Sequence, residues 1–173
     1  GQVRTLARAA GESLRKPAIL LHELNRFMVD TFEREYLMTM MCLVYAPEGH
    51  TITFAGAGHC PMIVLPADGG PSRELASQCP PLGIMDKTMY IEETLALAPG
   101  DQVLLYTDGV TEVRRPDGDF YGVERLIEGL EKRPSRIGRD TLEEILHGAR
   151  AFANGGAFDD DVTLVLLERR TTG

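Results

Sequence analysis

Two places where an apolar strand run ends in acid narrow most what this chain can fold into. The first is Gln102-Val103-Leu104-Leu105-Tyr106-Thr107-Asp108-Gly109-Val110-Thr111-Glu112. Val103, Leu104 and Leu105 read as a buried strand that carries Asp108 out at its rim. There the sheet holds the backbone while the carboxylate is free to face a ligand, and a hard cation wants such a rigid oxygen donor. Gly109 lets the chain turn away with no Cβ beside whatever Asp108 holds. An Asp-Gly pair after a strand is also a common hairpin turn, so this stretch alone leaves two readings open. The second acidic end is Phe158-Asp159-Asp160-Asp161-Val162-Thr163-Leu164-Val165-Leu166-Leu167, three carboxylates directly ahead of an apolar β run. Adjacent like charges repel and need a counter-charge. Water and salt supply it at a surface, a divalent metal at a site. Two acidic strand ends in one chain point to a carboxylate-lined metal cleft.

The other totals exclude more than they assign. At 173 residues the chain fits one domain with an adequate core. A formal net charge of -8 argues against a nucleic-acid partner and against anionic membrane surfaces. No apolar run approaches the ~20 residues of a membrane helix, and no secretory signal opens the sequence. Cys42, Cys60 and Cys79 are odd in number and lack a CxxC pattern, which disfavours structural zinc and a disulfide scaffold and fits a reducing cytoplasm.

In order along the chain, Val3, Leu6, Ala7 and Ala10 have helical spacing, and Pro17 opens a second helix reaching about Phe32. Leu20, Leu24, Phe27 and Thr31 form its stripe, widened by Leu21 and Met28. Gln2 follows Gly1 with no capping residue, so the chain reads as cut into, as a fragment would be. From Leu37 the texture is β. Met38–Tyr45, Thr51–Ala55, Met62–Leu65, Ser72–Ala76, Tyr90–Leu97 and the run into Tyr106 predict an antiparallel meander of roughly six or seven strands. Gly56 to Pro61 breaks that pattern. His59 in this corner is either a ligand-facing residue or a local hydrogen-bonding one. Pro116-Asp117-Gly118 marks a turn. Two amphipathic helices follow, with stripes Val123, Leu126, Ile127, Leu130 and Leu142, Ile145, Leu146, Ala149, Phe152. Thr141 and Glu144 have capping-box spacing at the start of the second. A final strand at Val162–Leu167 returns beside the meander, so that Asp108 and Asp160 can meet at one sheet edge. The order indicates an α+β layered fold.

These residues also match a known family. Ala55-Gly56-Ala57-Gly58-His59-Cys60-Pro61, Pro80-Pro81-Leu82-Gly83, Leu97-Ala98-Pro99-Gly100-Asp101, Leu105-Tyr106-Thr107-Asp108-Gly109-Val110-Thr111-Glu112, Gly122-Val123-Glu124-Arg125-Leu126 and Asp159-Asp160-Asp161-Val162-Thr163-Leu164-Val165 occur in the family's order. Together they resemble the catalytic domain of PPM-type, metal-dependent serine/threonine protein phosphatases, in the bacterial SpoIIE/RsbU-like branch. The resemblance implies an antiparallel β-sandwich of two sheets flanked by helices, and a pair of Mn2+ or Mg2+ ions. It makes Asp108 and Asp160 metal ligands, with Gly109, Asp159 and Asp161 in second place and His59 as a candidate for the active face. It implies that a metal-activated water hydrolyses phosphoserine or phosphothreonine, on a phosphorylated protein resembling an anti-anti-sigma factor. It also implies an upstream sensory domain and a dimer surface or regulatory hinge over Gln2–Phe32.

The sequence departs from the family in lacking its earlier acidic motifs, an aspartate in Gly-Gly-Asp and one in Asp-x-Ser-Gly-His-Gly. The expectation is therefore a single domain over 1–173, N-terminally incomplete, with a helix pair at 1–34, the meander at 37–112, a helix pair at 122–154 and the last strand at 158–168. Such a piece should be weak or inactive alone. The competing reading is a partner-binding module derived from the same fold without catalysis, and behind it a structural β-rich domain whose aspartates only decorate turns.

Overall fold

Pro17 has no N–H to leave unsatisfied and suits the first turn of a helix. The computed structural model, which describes residues 15–32, 35–132, 138–156 and 158–170, starts helix α1 there, at Pro17–Phe32. The predicted helix ahead of it lies outside the described residues. Leu20, Leu21, Leu24 and Met28 are buried along α1, as their spacing predicts, while Thr31 is exposed and ends the stripe early. These side chains pack on Ala55, Ala57, Leu82 and Tyr90. Each fully buried leucine is worth roughly 1.5–3 kcal/mol. Asn25 is also fully buried, which the apolar pattern does not foretell.

The described chain forms two compact units. Gly1–His59 and Ala76–Leu97 make the first, Cys60–Leu75 and Ala98–Gly173 the second. In the first unit, β1 (Met40–Ala46) and β2 (Thr51–Ala57) pair antiparallel across the Pro47–His50 turn, with Cys42 opposite Ala55. Strand β5 (Glu93–Ala96) pairs with the other side of β2, giving the order β1-β2-β5.

Two expectations change here. Gly56 does not break β2. The strand continues to Ala57, because the glycine is needed for a close approach: a Cβ on it would lie 2.5 Å from Ser77 Cβ. The predicted strand from Tyr90 shortens to Glu93–Ala96, and Ile91 stays exposed. The chain leaves the first sheet at Gly58, whose φ of 62° favours glycine and whose N–H donates to Cys79 O at 2.8 Å.

In the second unit, β3 (Met62–Leu65), β4 (Arg73–Leu75), β6 (Gln102–Tyr106) and β7 (Leu164–Glu168) form an antiparallel sheet in the order β4-β3-β6-β7. The strands thus divide into two sheets and do not run as one meander. Asp101, at the turn before β6, accepts the N–H of Ala98 (2.7 Å) and of Ala67 (2.9 Å), which pins two turns to one carboxylate. Helices α2 (Gly122–Glu131) and α3 (Gly138–Phe152) cover this unit's core. Leu126, Leu130, Ile145, Ala149 and Phe152 pack with Ile63, Leu65, Leu104 and Tyr106. The capping-box expectation at Thr141 fails: α3 already starts at Gly138, and Thr141 is a buried residue inside the helix. Asn154 (φ 53°) and Gly155 (φ 80°) turn the chain out of α3. Among the described residues, no helix is long and apolar enough to cross a membrane.

Candidate metal centre

Strand β6 is the middle of its sheet's acidic end. Val103 and Leu104 are fully buried, β3 and β7 flank the strand, and Tyr106 pairs with Leu164. Beyond Tyr106 the two chains stay joined through Thr107. Its N–H donates to Thr163 O (3.1 Å), its hydroxyl donates to Asp161 O (3.0 Å), and the same hydroxyl accepts the Thr163 N–H (2.9 Å). The segment carrying Asp108 is thereby bound to the segment carrying Asp159, Asp160 and Asp161.

Asp108–Val110 is a single 3-10 turn. The Asp108 carbonyl accepts the N–H groups of Thr111 (2.9 Å) and Glu112 (2.8 Å) and the Thr111 hydroxyl (3.1 Å). The hairpin reading of Asp-Gly is therefore set aside, since the partner beside β6 is β7, which lies far along the chain. Gly109 is buried against the acidic segment. A Cβ there would stand 2.6 Å from Asp161 O and 3.3 Å from Asp160 O. The absence of a side chain is what lets the two backbones touch.

The four aspartates are exposed. Asp159 and Asp160 line a cleft of about 140 Å³ together with Gly109, Glu112 and Arg114. Asp160 Oδ1 accepts the Asp161 N–H at 2.7 Å, which fixes one of its oxygens. Asp108 and Asp161 are both absent from the cleft lining, and the Asp161 carbonyl serves the Thr107 hydroxyl. Cys60 stands near this rim. Burial, and after it the Asp108 charge, push its thiol above the ordinary 9.0. His59 belongs to the first unit, where its Nδ1 lies 3.3 Å from the Thr39 hydroxyl.

A divalent ion of the Mg2+ or Mn2+ kind takes hard oxygen ligands, often only one or two of them protein carboxylates. Asp108 and Asp160 on abutting backbones, and the side-chain-free surface of Gly109, fit that need in part. Among the described residues, no three His, Cys, Asp or Glu side chains gather in a way that could hold a metal ion. The described residues thus do not by themselves make a complete set of ligands for an ion. Glu112 and Arg114 in the cleft, and Thr107 and Thr163 behind it, were not singled out from the sequence. Only the long-range pairing of β6 with β7 and the hairpin after Glu112 give them their places.

The profile of the Stage II sporulation protein E (SpoIIE) family matches residues 1–170. Phosphoserine phosphatase RsbU of Bacillus subtilis (strain 168) is 27% identical over 154 residues, covering 89% of this chain and 45% of that protein. Protein IcfG of Synechocystis sp. is 31% identical over 118 residues, 68% of this chain and 18% of that protein. The chain therefore spans less than half the length of these curated relatives. Among solved structures, the SiaA-PP2C domain of Pseudomonas aeruginosa superposes with a TM-score of 0.80 at 21% identity, covering 96% of this chain and 64% of that one. The phosphatase domain of the cell fate determinant SpoIIE from Bacillus subtilis gives a TM-score of 0.68 at 13% identity, covering 100% and 76%. These likenesses bear out the α+β fold of two antiparallel sheets with flanking helices. The chain belongs to the Stage II sporulation protein E family, the SpoIIE/RsbU-like branch of the PPM-type phosphatase domains.

Proposed function

We propose that the domain to which this chain belongs hydrolyses phosphoserine or phosphothreonine monoesters on a regulatory protein resembling an anti-anti-sigma factor. The supporting observation is the abutment of Gly109 on the Asp160-Asp161 backbone, with Thr107 clasping both segments. It brings together the two acidic ends that the family resemblance makes metal ligands. Asp108 and Asp160 would hold Mn2+ or Mg2+, with Asp159 next in line. When bound, such ions supply a water of lowered pKa and neutralise phosphoryl oxygens. The chain's own part is to hold the Asp160 carboxylate through the Asp161 N–H and to bring the Asp108 and Asp160 segments into contact at Gly109. Related proteins support the metal: one SpoIIE phosphatase structure is described as Mn presoaked, and an RsbX structure as a complex with magnesium. A structure described as the RsbU and RsbW domains of Rv1364c from Mycobacterium tuberculosis supports a regulatory-protein setting. An upstream sensory region and a dimer surface involving α1 belong to the same reading.

The test is Mn2+-dependent turnover of a phosphoserine peptide by the full-length protein. Asp108→Asn and Asp160→Asn should each lower it more than about 100-fold, since even outer-shell partners of a metal cost roughly 10- to 100-fold. Asp161→Asn should keep most of it. Full activity in Asp160→Asn would overturn the assignment.

A second reading has an observation of its own. Fewer than three metal-holding side chains converge among the described residues, which favours weak activity in these 173 residues alone, or a module that binds a phosphoprotein partner without turnover. Turnover by the isolated 173-residue chain equal to that of the full-length protein would refute both forms.

A further inference from the structure

We propose that Arg114 receives the phosphoryl oxygens of the substrate at this cleft, an inference that rests on the phosphatase reading above. Arg114 shares the cleft lining with Glu112, Asp159 and Asp160. A guanidinium beside three carboxylates would ordinarily close an ion pair. Among the described residues, Arg114 closes none, and its side chain makes no hydrogen bond. Its partner is an aromatic face instead: the guanidinium carbon lies 4.4 Å from the centroid of Phe120.

The backbone explains this placement. Arg114 and Phe120 are bridged antiparallel across the Pro116-Asp117-Gly118 turn, and Arg115 N–H donates to Asp119 O at 2.9 Å. That hairpin sets arginine and phenylalanine opposite one another. Stacking occupies the flat face of a guanidinium and leaves the donors at its edge available. Arg125 makes the contrast. It pairs with Asp119 at 2.9 Å and donates to the carbonyls of Phe120 and Tyr121, so its donors are committed. Arg114 is held in position without being used up.

A phosphomonoester is close to a dianion at pH 7, and a cleft of carboxylates repels it. Metal ions offset part of that repulsion, but as point charges they do not orient the ester. A guanidinium edge offers two parallel charge-assisted hydrogen bonds to two oxygens of one phosphoryl group. Arg114 would thus act on binding and orientation of the ester. The competing role is that of a counter-charge, which softens repulsion between Asp159 and Asp160 and never meets the substrate.

The two roles separate in the full-length protein with three probes: Mn2+ alone, inorganic phosphate as a competitive inhibitor, and p-nitrophenyl phosphate as substrate. Arg114→Ala should raise both KM and the inhibition constant of phosphate by roughly tenfold or more, with kcat changing less. Mn2+ affinity should be kept or tightened, because a positive charge has left the carboxylates. Arg114→Lys should raise both constants by a smaller factor, since an ammonium lacks the fork. Phe120→Leu should do the same, because it frees the guanidinium from its stacked position. If Arg114→Ala tightens Mn2+ but leaves KM and phosphate inhibition within about twofold of wild type, the counter-charge role stands and the inference is overturned. If Arg114→Ala lowers the melting temperature, Arg114→Lys decides: a weaker phosphate inhibition supports the inference, and an unchanged one overturns it. If the wild-type protein neither binds Mn2+ nor turns over the ester, the phosphatase reading itself fails and this inference falls with it.

Discussion

Thr107 and Thr163 hold each other twice: the Thr107 N–H donates to Thr163 O at 3.1 Å, and the Thr163 N–H donates to the Thr107 hydroxyl oxygen at 2.9 Å. The hydroxyl also donates to Asp161 O at 3.0 Å. One side chain therefore extends the β6–β7 ladder past its last strand residues. Thr107→Val keeps the shape and removes both hydroxyl bonds. The expected loss is about 1–3 kcal/mol, a drop in melting temperature of roughly 2–4 °C per kcal/mol for a chain of this size. Calorimetric titration should show weaker Mn2+ binding in the same variant.

Gly109→Ala tests the close approach directly. The new methyl group would meet Asp161 O at 2.6 Å, a backbone atom with no rotamer to escape into. The two segments must part. Overpacking of this kind typically costs about 1–3 kcal/mol. Thermal melts measure that loss, and a fall in Mn2+ affinity beyond the one seen in Thr107→Val would tie the backbone spacing to the site.

Asn25 offers a test in the first unit. Its Nδ2 donates to Met85 O at 2.7 Å, and its Oδ1 accepts the Gly83 N–H at 2.9 Å. Asn25→Leu matches the apolar stripe of α1 in volume but leaves the buried Gly83 N–H without its partner and Met85 O with the Thr88 hydroxyl in place of two donors. An orphaned buried group costs about 1–3 kcal/mol. Urea unfolding should show a clear loss, where a naive reading of the stripe predicts a gain from one more leucine.

Alkaline pH should weaken the fold. Burial raises the thiol of Cys42 above its ordinary 9.0, with Glu92 adding to the effect, and burial likewise raises Tyr90 and Tyr121 above 10.0. All three are neutral when protonated, and the folded chain holds those protons to higher pH than the unfolded chain does. Their contribution is complete below about pH 9 and is lost as pH rises beyond it, because the unfolded state binds fewer protons there. Urea midpoints should be flat from neutral pH to about 8.5 and then fall, and Cys42→Ser should make the first part of that fall shallower, with Cys60 supplying what remains.

Helix α1 was legible because Leu20, Leu21, Leu24 and Met28 repeat at the helical period and bury together. Strand β6 was legible for a similar reason. Local pattern failed where a distant segment decides the outcome. Gly56 looked like a break, yet Ser77, brought in from elsewhere, makes glycine the residue that keeps β2 intact. Thr141 had the spacing of a cap, but α3 begins a turn earlier. The Asp-Gly pair after β6 fitted a hairpin until β7, reached only after α2 and α3, took the neighbouring place. Division of the strands into two sheets has no local signature at all, since alternation records one buried face and not which partner covers it. Arg114 escaped notice because the turn at Pro116-Asp117-Gly118, though legible, says nothing of the cleft that Arg114 shares with Asp159 and Asp160 from far along the chain.

The pairing of Tyr106 with Leu164 also sets a timetable. While the ribosome is still making α2 and α3, Asp108 waits at the end of a strand whose outer neighbour has not been synthesised. On the proposed metal reading, its companion carboxylate arrives only when β7 docks, and an ion would find no second acidic end before then. Capture would come late in biogenesis and report that this half of the fold has closed.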